Sequence, residues 1–209
     1  KTEWFKTDAK TSKNHFNDFK ENHGILTEMD GVEIYELRDE QEEAARKTAD
    51  YFDNHKLVKI LKKDKAPEFL WNAKPRFGKT LTAYDFCKRI GAKNVLILTN
   101  RPAIADSWYN DYARFVGTEG GYYFVSQVDV FKKNPKKYKH VLTRDEFTHA
   151  VSKNRLGCIE FISLQDLKGA KAFGGDYEKL REVSELDWDV LILDEAHEGV
   201  ETDKTDVAL

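Results

Sequence analysis

The run Val190, Leu191, Ile192, Leu193 constrains this chain more than any other feature. Four consecutive apolar residues leave no polar face for water. A strand built from them wants cover on both sides, the condition of a central strand in a parallel sheet flanked by helices. The run ends in Asp194 and Glu195. In parallel sheets ligands collect outside the carboxyl ends of the strands, so this pair of acids is predicted to face a ligand. PEFLWNA (67–73), NVLILTN (94–100), YYFVS (122–126) and GCIEFIS (157–163) read as further strands. Between them fall helical segments at 39–52, 79–90, 102–115 and 143–153. Asp39 stands at the start of the first, Pro102 opens the third, and Thr143 with Glu146 has capping-box spacing at the fourth. Alternation of strands with helices of about 10–15 residues predicts a three-layer α/β fold on a mostly parallel sheet.

The second informative segment is AKPRFGKT (73–80). A bound polyphosphate needs converging backbone N–H groups, a helix N-terminus behind them and a cation. The order strand, tight turn and helix start is the context in which G-x-x-x-x-G-K-[ST] carries meaning. Here the turn Pro75, Arg76, Phe77, Gly78 would cradle phosphate, Lys79 would reach the β- and γ-phosphates, and Thr80 would place its hydroxyl on Mg²⁺. Gly78 permits close approach of the backbone. Ala73 stands where the pattern has its first glycine, which requires a negative φ there, and Pro75 stiffens the loop. The site is thus expected to take ATP with Mg²⁺. Asp194 would hold the metal through water, since Mg²⁺ keeps much of its hydration. Glu195 is placed to orient or deprotonate an attacking water.

His197 and Glu198 invite a zinc reading, but H-E-x-x-H requires His at 201, where this chain has Glu201. His197 reads either as a structural histidine or as a partner of the neighbouring acids. The cluster KKNPKKYKH (132–140) reads first as a solvated insertion loop and second as a contact for a phosphate backbone. Net charge is −3 and pI about 6.1, so any nucleic acid must bind through a local patch. No apolar run approaches the ~20 residues of a membrane span, the start KTEWFKTDAK is not a secretory signal, and only Cys87 and Cys158 occur. A cytoplasmic protein with reduced thiols is expected. Position 1 is not Met and the chain ends soon after its acidic run, so an excised piece of a longer polypeptide is expected.

Taken in order, these motifs resemble the first RecA-like domain of superfamily 2 helicases, nearest to the motor subunits of type I and type III restriction enzymes and related DEAD/DEAH-box proteins. The resemblance covers about residues 35–205, leaving 1–34 as a segment of unassigned role and 35–209 as the ATP-binding domain. AKPRFGKT looks like motif I and DEAH (194–197) matches motif II. YELRDEQEEAA looks like the segment whose glutamine reads adenine, which implies Gln41, with Arg38 beside it. LILTNRPAIADSW and FISLQDL resemble the motifs that touch the backbone of the tracked strand, implying Asn100, Arg101, Ser163 and Gln165. The resemblance implies an ATP-dependent DNA translocase or helicase, with double-stranded DNA and restriction-modification subunits as partners. The coupling motif after DEAH and the arginines of a second RecA-like domain do not occur in the chain. The 209 residues alone are therefore expected to be nearly inactive, since such arginines contribute roughly 10³–10⁵ in rate. The alternatives are a non-hydrolysing nucleotide-binding or interaction module and an RNA helicase. A small-molecule kinase or GTPase fits less well, because N-K-x-D is absent.

Overall fold

The computed structural model describes residues 35–59, 66–138, 140–154, 156–177 and 180–195. Two units are distinguished, Lys1–Gly31 and Val32–Leu209, and everything below concerns the second. Five strands form one all-parallel sheet: β1 (Asn94–Thr99), β2 (Tyr122–Ser126), β3 (Val141–Leu142), β4 (Gly157–Ser163) and β5 (Val190–Asp194), in the order β3-β2-β4-β1-β5. Around it stand α1 (Asp39–Lys59), α2 (Lys79–Arg89), α3 (Ala105–Phe115), α4 (Asp129–Lys133), α5 (Arg144–Asn154), α6 (Leu164–Lys168) and α7 (Arg181–Glu185). The α/β fold read from the alternation is the fold observed.

Register divides the sheet into two faces. Val95, Ile97 and Thr99 align with Ile159, Phe161 and Ser163 on one flank and with Val190, Ile192 and Asp194 on the other. Most of this face carries an aromatic layer: Tyr84 from α2, Trp108, Tyr109 and Tyr112 from α3, and Phe131 from α4 pack with Phe124 and Phe161. Buried tyrosines need acceptors for their hydroxyls, and three of them find main-chain carbonyls. Tyr84 donates to Trp108 O (2.8 Å), Tyr112 to Tyr122 O (2.9 Å) and Tyr122 to Ala92 O (2.6 Å). The opposite face packs Leu96, Leu98 and Ile162 against Leu164, Leu167 and Val183 of α6 and α7. It also holds a sealed ion pair between Arg144 at the start of α5 and Glu160 of β4.

Local signals fare well at helix ends. Thr143 and Glu146 form the reciprocal capping box at α5, with Thr143 N donating to Glu146 Oε2 (2.7 Å) and Glu146 N to Thr143 Oγ1 (3.3 Å). Gly91 follows α2 in the left-handed region (φ 66°), and α1 runs to Lys59, past the predicted end at Phe52.

Two expectations are corrected. PEFLWNA is not a strand: residues 66–74 have no regular structure, and Leu70 is 83% exposed. Apolar composition does not by itself supply a pairing partner. This segment is instead held by side chains, with the Trp71 indole donating to Thr48 Oγ1 (2.8 Å) and Phe69 packed edge-on against Tyr51. The run 190–193 is a strand, but among the described residues it pairs only with β1, and Leu191 is 43% exposed. It therefore lies at an edge rather than in the centre. The basic cluster is solvated at Lys132, Lys133 and Lys136, yet Tyr138 is buried between Tyr109 and Phe131 and donates to Asp106 (2.7 Å). Cys87 and Cys158 are buried free thiols, and burial pushes Cys87 up to about 12. Among the described residues no helix is long and apolar enough to cross a membrane.

Candidate nucleotide and cation site

Residues 75–78 turn tightly from the extended segment into α2, with Phe77 N donating to Lys74 O (3.1 Å). Ala73 does not have a positive φ, as its place in the pattern requires, whereas Arg76 sits at φ 65° and Gly78 at φ 84°. A left-handed conformation is costly for a residue with a Cβ, so Arg76 is held there by its surroundings. Those surroundings are the two residues expected to read adenine. The Arg38 guanidinium donates to Arg76 O (3.2 Å) and to Phe77 O, and Gln41 Nε2 donates to Phe77 O (2.8 Å). Gln41 Oε1 accepts from Arg38 N (2.9 Å) and Arg38 Nε (3.4 Å). With two donors on one side of the amide and a carbonyl on the other, its orientation is fixed by the network. Both residues clasp the loop by its carbonyls. A Cβ at Gly78 would also lie 2.4 Å from Gln41 Nε2, so a side chain there would push that amide off the loop.

Lys79 and Thr80 begin α2, and the Lys79 ammonium crosses to the end of β5, donating to Asp194 Oδ1 (3.1 Å) and Glu195 Oε1 (2.9 Å). The two sequence motifs, 115 residues apart, therefore meet directly. Burial pulls the Lys79 pKa down, and the bonds to Glu195 and Asp194 more than reverse this, so it is held above its ordinary value. Glu195 lies at φ 56°, which turns its carboxylate back toward Lys79 while its own N–H donates to Asp194 Oδ1 (3.0 Å). His197 lies outside the described residues.

The donor set fits a magnesium–nucleotide. Mg²⁺ is typically held by one or two carboxylates plus substrate phosphates and several waters, rather than by a cage of protein ligands. Among the described residues no group of three or more His, Cys, Asp or Glu is placed to hold a metal ion by itself. What does exist is a pair of carboxylates facing a lysine at a helix start, with the Thr80 hydroxyl next in line.

Sequence reading missed Trp108. Its buried indole N–H donates to Asp194 Oδ2 (2.8 Å). The available signal was chemical: a Trp on the inward face of α3 needs an acceptor, although nothing local names Asp194 as that acceptor.

The residues implied for nucleic-acid contact lie at the carboxyl ends of β1 and β4, the end of the sheet at which Asp194 closes β5. Asn100 is half-buried and Arg101 exposed, with Arg101 N donating to Thr99 Oγ1 (3.0 Å). The Ser163 hydroxyl caps α6, accepting from Asp166 N (3.0 Å) and donating to Asp166 Oδ2 (2.8 Å). Ser163 is buried, and Gln165 is exposed on the rim of a cleft of about 350 Å³ that also takes in Gln127, Asp129 and Lys132.

The sequence model of the family described as type III restriction enzyme, res subunit, matches residues 34–207. The chain belongs to this family. Its α/β domain is thus the first RecA-like domain of a superfamily 2 helicase-type protein, as the ordered motifs implied. A putative type II restriction enzyme and methyltransferase (RM.MpnORF110P, C-terminus) from Mycoplasma pneumoniae (strain ATCC 29342 / M129 / Subtype 1) is 26% identical over 197 residues, covering 90% of this chain and 24% of the relative. The chain thus spans about a quarter of that protein's length. No solved structure matches the chain.

Proposed function

We propose that this chain is the ATP-binding half of a DNA-dependent ATPase motor in a restriction system. The observation that carries the reading is the meeting of Lys79 with both Asp194 and Glu195 at the start of α2. An ammonium has three donors and no acceptor, so phosphate oxygens can replace the two carboxylates as its partners. That exchange moves the positive charge onto the nucleotide and releases both acids. Asp194 and the Thr80 hydroxyl would then hold Mg²⁺, which supplies charge against the β- and γ-phosphates. Glu195, freed of its lysine, would orient and deprotonate the attacking water. Pro75, Arg76, Phe77 and Gly78 would shape the phosphate cradle. Asn100 and Arg101 with Gln165 would touch the strand being tracked, and Ser163 would support that surface through its cap. Restriction-modification subunits would be the protein partners, in a cytoplasm that keeps Cys87 and Cys158 reduced.

ATP turnover of the intact protein, measured with double-stranded DNA, with RNA and with neither, tests this. DNA should stimulate turnover several-fold, and Lys79→Ala should remove it. Turnover indifferent to DNA, or surviving Lys79→Ala, would overturn the reading. Stimulation by RNA alone would make the chain part of an RNA motor.

A further inference from the structure

Asp194 is gripped from two sides by groups of different character. Its Oδ1 accepts from the Lys79 ammonium and from the Glu195 backbone, while its Oδ2 accepts from the Trp108 indole. The ammonium is a cation on a flexible stem, 40% exposed, and it has to yield when another cation approaches the same carboxylate. The indole is neutral, donor-only and buried. It adds no charge that would compete with a metal, so it can stay in place throughout.

Trp108 is itself well held. Its carbonyl accepts from the Tyr84 hydroxyl (2.8 Å), and the two rings meet edge to face at 5.4 Å. Tyr84 belongs to α2, the helix that begins with Lys79 and Thr80. The phosphate-loop helix is thus connected to the acidic strand by two routes, one direct and ionic through Lys79, the other neutral through Tyr84 and Trp108.

We propose that Trp108 is a positioning residue for the cation-binding carboxylate, holding Oδ2 of Asp194 so that Oδ1 alone faces the loop. The role rests on the nucleotide-binding reading above. A group that orients a metal-binding side chain is worth about 10–100-fold in metal affinity when removed, whereas a ring that only fills space has no such effect.

The test is a Mg²⁺ titration of fluorescent ATP-analogue binding, followed by anisotropy on the intact protein. Two variants are compared with the unchanged protein: Trp108→Phe, and Trp108 replaced by benzothienylalanine, which keeps the bicyclic shape and loses only the N–H. The expected result is a Mg²⁺ midpoint raised about tenfold in both, with binding of the same analogue in EDTA unaltered. A midpoint within twofold of the unchanged protein in the benzothienylalanine variant would overturn the role of Trp108 while leaving the nucleotide site intact. No magnesium-dependent binding by the unchanged protein would overturn both. If Trp108→Phe fails to fold by circular dichroism, the isostere decides.

Discussion

Glu160 and Asp194 stand on strands of the same parallel sheet, and each is bonded to a basic side chain, yet their surroundings are opposite. Glu160 lies mid-strand on the face covered by α5, and its partner Arg144 is sandwiched between the rings of Phe147 and Trp188. Their side chains are 1% and 10% exposed. Asp194 lies at the carboxyl end of β5 on the other face, and its partner Lys79 is open to solvent. The first pair has no route by which either charge could change partner. The second can trade its ammonium for another cation with little movement. Burial, not the presence of an ion pair, separates the two carboxylates: Glu160 is sealed in with its partner, while Asp194 has a partner that solvent can reach.

Breaking each pair should sharpen this contrast. The largest effect is expected from Arg144→Met, which strands the Glu160 charge in the core and should cost about 3–5 kcal/mol in denaturant unfolding. The double change Arg144→Met with Glu160→Leu should recover most of that loss, because well-packed apolar residues replace a buried pair without penalty. A double variant as unstable as the single one would show that the pair does more than neutralise itself. Next comes Lys79→Met. Lys79 is open to solvent although Asp194 is only 11% exposed and keeps its bond from Trp108, so the loss of stability should be about 1 kcal/mol, well below that at Arg144, while ATP-analogue binding disappears. A large loss of stability would erase the distinction between the two pairs.

The smallest effect concerns the clasp on the loop. Gln41→Leu removes the hydrogen bond to Phe77 O and those from Arg38 N and Nε, while the Arg38 guanidinium keeps its own hold on the loop. It should weaken ATP and GTP binding alike by several-fold, in line with about 1 kcal/mol for a lost hydrogen bond. A loss confined to ATP would return Gln41 to base reading.

How much of this was legible in the sequence depends on the range of each interaction. The capping box at Thr143 and Glu146 is set within four residues, and it is observed where the residue types put it. The strands 94–99, 122–126 and 157–163 carry their own apolar pattern and were readable too. PEFLWNA shows the limit, because an apolar segment becomes a strand only if a neighbour pairs with it, and pairing is not local. At the site, Lys79, Asp194 and Glu195 were legible through motif spacing. Arg38 and Gln41 were singled out by their place before the loop, and their grip on the main chain of Arg76 and Phe77 was not legible in the sequence. Trp108 escaped because its acceptor lies 86 positions away.

The left-handed backbone at Glu195 carries a cost that the rest of the fold absorbs. A non-glycine residue held there forfeits about 1–3 kcal/mol, a cost that Asn or Gly would largely avoid. Replacing Glu195 with either would relax the chain and remove the carboxylate aimed at Lys79 in one stroke.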